Sequence, residues 1–267
     1  MKKPIIILIT LVSVILIRCE KEKSGLISKN QEISFGEQLD SLVINSPEDY
    51  NVIDENEYHG AYAYLNNIMN KILVSDGLNR KDYFEWTIRI IDEDVLNAFA
   101  APGGYLYFYT GLMAYLDNEA QLAGVMAHEI AHVDRRHSAQ RLEREMAVSV
   151  IISIILGENP SQLEEYAAGI AKGLSTLAYS RNQEYEADEY AVKYAADTDY
   201  DPRGISGFFN KMEEASQVRT PEFLSTHPDP GNRLDAIDEV WESIGSPQGQ
   251  DFESEYAVFL EYLPQGQ

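Results

Sequence analysis

His128 and His132 stand four residues apart with Glu129 beside the first, in the pattern H-E-x-x-H. On an α-helix, positions i and i+4 share a face one turn apart. Both imidazoles then reach one divalent ion, with the Glu129 carboxylate next to it. That residue set suits a zinc hydrolase in which the glutamate acts as general base on water. A tetrahedral catalytic zinc takes a third protein ligand and leaves one position open. The extended motif with a glycine and a third histidine just downstream is excluded, because Arg135 and Ser138 occupy those places. The other route is a carboxylate from a later helix. Glu184 is one candidate, and composition alone leaves Glu164, Glu165, Glu186 and Glu189 open beside it. Glu184 and Asp188 are again i and i+4. If Glu184 takes the metal, Asp188 can accept a hydrogen bond from a ligand histidine.

A covalent mechanism has no support. The single cysteine is Cys19, and no G-x-S-x-G nucleophile turn occurs.

The elements that must position these residues are also legible. Asn118 followed by Gln121 gives a capping-box-like start, and Leu122, Val125, Met126, Ile130 and Val133 recur at helical spacing. Arg135, Arg136 and His137 then fall near a helix C-terminus, where cations suit the dipole. Ser180 precedes a second helical pattern that carries Glu184 and runs through Ala196. A further helix is expected from about Glu57 to Leu73. Glu85–Ile91 is rich in β-branched and aromatic residues and reads as a strand. Tyr105, Tyr107 and Tyr109 alternate with Leu106 and Phe108, the period of a half-buried strand. Gly103-Gly104 marks a turn before it. His227 lies in a proline-containing loop, and His59 and His137 have no motif partner and are treated as structural or surface residues.

Four blocks in order resemble the gluzincin family of the CAAX prenyl proteases, HtpX and the small periplasmic lipoprotein metallopeptidases. They are Leu96–Tyr107, His128–His132, Tyr179–Asp188, and Ser225–Pro228 with Arg233. The resemblance implies an α+β, mostly helical, zincin-like fold with a small β-sheet. It implies Glu184 as third ligand beside His128 and His132, one Zn2+ per chain, and Glu129 and Asp188 in catalysis. It also implies a site role for His227, either stabilising the oxyanion or occupying the open zinc position, and for Arg233, either assisting the oxyanion or orienting that loop. Asn97, Gly103, Gly104 and Tyr105 are expected to bind substrate, along a strand edge that holds a peptide by main-chain hydrogen bonds.

With 21 Lys plus Arg against 44 Asp plus Glu, the net charge is −23, which argues against nucleic acid as a partner. Such a chain is also repelled by anionic membrane surfaces. Any membrane attachment must come from elsewhere. Lys2-Lys3, the apolar run Ile5–Ile17 and Leu16-Ile17-Arg18-Cys19 read as a lipoprotein-type signal, with a lipid anchor at Cys19 and Arg18 as a departure from the usual small residue. No internal disulfide can form in a chain with one cysteine. The expected organisation is a signal peptide over 1–19, a polar tether over 20–45, a zinc metallopeptidase domain over 46–245 and a C-terminal tail over 246–267 with a short docked helix. The apolar run Met146–Leu156 is too short to span a bilayer and is expected to form a buried helix or lid.

The expectation is a zinc endopeptidase of the bacterial cell envelope, facing the periplasm and acting on misfolded or stalled envelope proteins. The competing expectation is a metal-binding envelope chaperone or assembly factor with little proteolysis. A third is a hydrolase of small substrates on the same scaffold.

Overall fold

The computed structural model describes residues 25–145, 168–171, 173–216, 222–228 and 231–264. The segment expected as a signal, with Cys19, and the apolar run Met146–Leu156 lie outside them. Within the described residues the protein is an α+β fold, mostly helical, with one small sheet.

Three short strands form that sheet: β1 (Thr87–Ile91), β2 (Ala98–Ala101) and β3 (Tyr105–Tyr109). Their order is β1-β3-β2, with β1 parallel and β2 antiparallel to the central β3. Gly103 (φ 86°) and Gly104 (φ 93°) make the turn from β2 to β3. Both sit in the left-handed region that glycine adopts without steric cost. At Gly104 a side chain is also excluded, since a Cβ there would lie 2.8 Å from Cβ of Phe84.

The reading of β3 as half-buried is corrected. Leu106, Tyr107, Phe108 and Tyr109 are all buried. The cause lies in the segment expected as a tether. Residues Lys29–Ile44 form a helix, α1, opened by a capping box between Ser28 and Gln31. Its Phe35, Leu39 and Val43, spaced i, i+4 and i+8, pack with Ile91, Phe99, Tyr107 and Tyr109 on one face of the sheet. Asp40 accepts from Arg89 Nε and Nη2 (3.0 and 2.6 Å) and from Tyr107 OH (3.0 Å). The opposite face, with Ile88, Ile90, Leu106 and Phe108, belongs to the main core. A central strand covered on both sides shows no alternation of exposure. The charged residues between the apolar positions of α1 hid a stripe that composition alone does not reveal.

The main core is helical. It is built around α4 (Glu119–Asp134), whose residues are all buried. Asn118 Oδ1 accepts from Gln121 N at 2.9 Å and starts the helix, while Gln121 Oε1 reaches back to the N–H of Asp117. α2 (His59–Leu73) and strands β2 and β3 pack on α4, and α3 (Thr110–Tyr115) packs on β3. α6 (Arg181–Ala196) and α7 (Gly204–Ser216) also pack on α4. At Gly124 the backbone of Ile205 comes so close that a Cβ would lie 2.4 Å from its nitrogen. Between them, α5 (His137–Glu145) follows α4 through Arg136 at φ 64°, and a single 3-10 turn spans Leu174–Thr176. The short α8 (Phe223–Thr226) and α9 (Arg233–Ser243) complete the surroundings of α6.

Residues beyond 246, expected as a tail with a docked helix, include α10 (Glu253–Leu260), with Tyr256 and Phe259 buried. Phe259 stacks on Tyr64 at 4.3 Å between centroids, and Tyr256 OH donates to Met113 O. This segment is therefore part of the core. Among the described residues, no helix is long and apolar enough to cross a membrane.

Candidate metal centre and active site

Four side chains from three elements meet in the interior. α4 brings His128 and His132, α6 brings Glu184, and His227 follows α8 directly. Each offers a ligand atom within 4.8 Å of the others, and all four are buried. His128 Nε2 and His132 Nε2 are 3.0 Å apart. Glu184 Oε2 lies 3.5 Å from the first and Oε1 lies 3.6 Å from the second. A tetrahedral ion with zinc-like bond lengths sets its ligand atoms about 3.3–3.6 Å apart.

The donor chemistry also fits a cation. His128 Nδ1 faces Asp188 Oδ1 at 2.9 Å, so a proton belongs there, and Nε2 is the nitrogen turned to the cluster, able to take an ion in place of its own proton. The Glu184 carboxylate is fully buried; its Oε2 meets Arg233 Nη2 at 3.0 Å, and its Oε1 faces the histidines with no hydrogen-bond partner. Two imidazole nitrogens and a carboxylate that converge in this way suit a cation between them. The same demand appears in titration. Burial works against the charged form of His128, yet Asp188 and Glu184 outweigh it and push its pKa up to about 9. Burial and the neighbouring His128 push His132 well below its ordinary value, so that ring is neutral and can act as a ligand.

Glu129 sits beside this cluster, fully buried. Burial favours its protonated form, but His227, His128 and Arg141 prevail and hold its carboxyl below the usual range. Its Oε1 lies 3.1 Å from His227 Nε2. Phe223 stacks on the His227 ring at 4.1 Å, and Thr226 Oγ1 lies 2.8 Å from His227 Nδ1.

Behind the ligands stands a second set of groups. Arg233 Nε and Nη2 donate to the two oxygens of Asp188, each at 2.7 Å. Its Nη2 is also 3.0 Å from Glu184 Oε2, and its guanidinium lies over Phe209. Opposite positive charge keeps the Asp188 carboxyl low against the effect of burial. Arg233 thus holds two carboxylates of α6.

The expected substrate contacts are distributed differently. Asn97 is fully buried; its Nδ2 donates to Ser175 O, and its Oδ1 accepts from Thr226 Oγ1. It ties the His227 segment to the start of β2. Gly103 packs against Gly36 and the Glu32 carbonyl of α1, and Gly104 against Phe84 and Trp86. Tyr105 pairs with Ala101 and Thr87 at the same end of the sheet. These three shape the turn and its contact with α1. The nearer part of β2 is Ala100, whose carbonyl accepts from Arg141 Nη2 (3.0 Å) and Tyr179 OH (3.4 Å).

Sequence reasoning gave no individual site role to Tyr179 or Arg141 and took His137 as a structural or surface residue. Tyr179 stacks on His132 at 3.6 Å, and the Arg141 guanidinium lies over the Tyr179 ring at 4.2 Å. Tyr179 belongs to the block that also carries Glu184, which is a signal for it. Arg141 and His137 carry no motif signal.

Residues 59–241 match Peptidase family M48. The beta-barrel assembly-enhancing protease of Escherichia coli (strain K12) is 34% identical over 184 residues, 64% of this chain and 37% of that protein. The putative beta-barrel assembly-enhancing protease of Vibrio cholerae is 29% identical over 216 residues, 77% of this chain and 43% of the relative. The mitochondrial metalloendopeptidase OMA1 of Schizosaccharomyces pombe is 29% identical over 186 residues, 68% and 53% of the two chains. The match thus spans between about a third and about half of those relatives. With the H-E-x-x-H helix and the buried cluster at its side, the chain belongs to peptidase family M48, a family of metallopeptidases.

Proposed function

We propose that this protein is a zinc endopeptidase of the bacterial envelope, acting on misfolded or stalled proteins. The observation that carries the reading is the buried cluster of His128, His132 and Glu184 with the ionised Glu129 beside it. One Zn2+ per chain would be held by those three ligands. Such an ion supplies an acidified water and polarises the scissile carbonyl.

The protein's own groups do the rest. Glu129, held as a carboxylate, takes the proton of the attacking water and returns it to the leaving amine. Asp188 fixes the His128 ring through Nδ1, and Arg233 fixes Asp188. Low exposure around the cluster strengthens each of these interactions. His227 stands where substrate must approach, against Glu129. This favours the second of its two expected roles, a resting arrangement in which the ring fills the open position. Substrate then requires the His227 segment to move aside. An extended peptide held along a strand edge by main-chain hydrogen bonds would suit broad selection.

The envelope location, the lipid anchor at Cys19 and the misfolded substrates rest on the N-terminal pattern of the sequence and on the names of the assembly-enhancing relatives. A chaperone without proteolysis is the weaker reading, because a binding module has no use for an ionised buried base.

The test is digestion of an unfolded protein by the full chain, with zinc and with chelator, beside Glu129→Gln. Zinc-dependent cleavage that falls by about 10²–10⁴ in the variant is expected. Cleavage unchanged in Glu129→Gln, or one bound zinc with no cleavage even after His227→Ala, would overturn it.

A further inference from the structure

His137 lies outside the four-atom cluster yet touches it. It opens α5, directly after Arg136, and is fully buried. Its Nδ1 is 3.0 Å from His132 Nδ1. Its Nε2 is 3.2 Å from Glu186 Oε2, and Glu186 Oε1 accepts from Arg135 Nε at 3.0 Å.

The direction of each hydrogen bond follows from the far end. His132 Nε2 faces His128 Nε2 and Glu184, so it must present a lone pair to hold an ion there. A neutral imidazole with a free Nε2 carries its proton on Nδ1. That N–H donates to His137 Nδ1, which must therefore accept. The proton of the neutral His137 ring is then on Nε2 and donates to Glu186. Every nitrogen in the row has one role, and no group is left with two protons facing each other.

We infer that His137 and Glu186 are positioning residues for His132. They set its tautomer and ring angle, as Asp188 and Arg233 do for His128. Three acids at alternate positions of α6 divide the work: Glu184 on the ion, Asp188 behind one histidine, Glu186 behind the other through His137. Glu186 leaves α6 on a different face from Glu184. It reaches the relay because the left-handed Arg136 turns the chain and brings His137 behind His132. The inference rests on the reading of His132 as a metal ligand.

The test is the zinc dissociation constant of the full-length protein, measured by competition with a chelator of known affinity. The variants are His137→Ala, His137→Phe, His137→Asn, Glu186→Ala and His132→Ala. Asn places its Oδ1 where Nδ1 of histidine stands and keeps an acceptor; Phe keeps the ring and removes it. Loss of an outer partner to a ligand histidine weakens metal binding by about 10- to 100-fold. That loss is expected for His137→Ala and His137→Phe, with one zinc still bound at saturation, and substantial rescue in His137→Asn. Glu186→Ala, at a partly exposed position, is expected to weaken binding in the same direction. Equal affinity for the Phe and Asn variants would overturn the relay, because ring packing alone would then suffice. If the position 137 variants do not fold, wild-type affinity in Glu186→Ala overturns it. If His132→Ala keeps one zinc at wild-type affinity, the ligand reading fails instead. Loss of zinc in His132→Ala with wild-type affinity in His137→Phe sinks the relay alone.

Discussion

His227 Nε2 lies 3.1 Å from Glu129 Oε1, so the proposed general base faces an imidazole in the position that a substrate and its water would need. Phe223 stacks on that imidazole, and a buried threonine and asparagine hold the segment behind it. Replacing His227 by alanine is expected to raise turnover of an unfolded protein. A rise of about tenfold corresponds to an open fraction of about one tenth in the wild type. Initial rates at saturating zinc measure it. A fall in kcat would assign His227 to oxyanion stabilisation instead.

Asp188 and Arg233 form a two-pronged ion pair in the interior, with side chains 2% and 4% exposed. Asp188→Ala removes one of the two carboxylates that Arg233 holds and leaves Glu184 as the other. The loss of stability is expected to stay below the about 3–5 kcal/mol of a buried charge left wholly unpaired. Urea unfolding in the presence of chelator isolates this from any loss of metal. A change below about 1 kcal/mol would mean that water reaches Arg233 in the variant.

Binding of the ion by the folded state alone stabilises it by mass action. Zinc at about a hundred times its dissociation constant is expected to add about 2.7 kcal/mol. Thermal scans with zinc and with chelator check this, and the increment is expected to vanish in His128→Ala.

Glu32, on α1, is buried against Arg136, whose Nη2 lies 3.4 Å from its carboxylate. Burial outweighs Arg136 and raises the Glu32 pKa above its ordinary 4.5. The folded protein then binds this proton more tightly than the unfolded chain does. Stability from this group therefore falls as pH rises from 4.5 through the raised value, and is flat above it. Glu32→Gln is expected to remove that slope. Denaturant midpoints across pH 4.5–8, with and without the substitution, give the comparison; equal slopes would refute it.

Leu39 of α1 is fully buried on the sheet. Leu39→Ala is expected to cost about 2–5 kcal/mol, as for a core leucine. A polar tether would lose nothing. The same unfolding titration decides between the two.

Along α4 the sequence by itself carried the H-E-x-x-H pattern, and along α6 the family resemblance singled out Glu184 among several acids. His128, Glu129 and His132 repeat at one helical turn, as do Glu184 and Asp188, and local periodicity sets which side chains share a face. The cap at Asn118 and the strands at residues 87–91 and 105–109 are likewise local, and were legible for that reason. What depended on packing between distant segments was not. α1 looked like a tether because its apolar stripe is sparse, and its burial exists only against β3. That contact is also why β3 is covered on both faces. Arg233 turns to Asp188 and Glu184 because α9 packs on α6, a relation absent from their spacing. His137 is five residues past His132 and would leave a continuous helix on another face. Only the left-handed Arg136 reverses the chain there, and only the arrival of α6 supplies Glu186. Periodicity carries information across one element, whereas the partners of a buried charge are chosen by the tertiary fold.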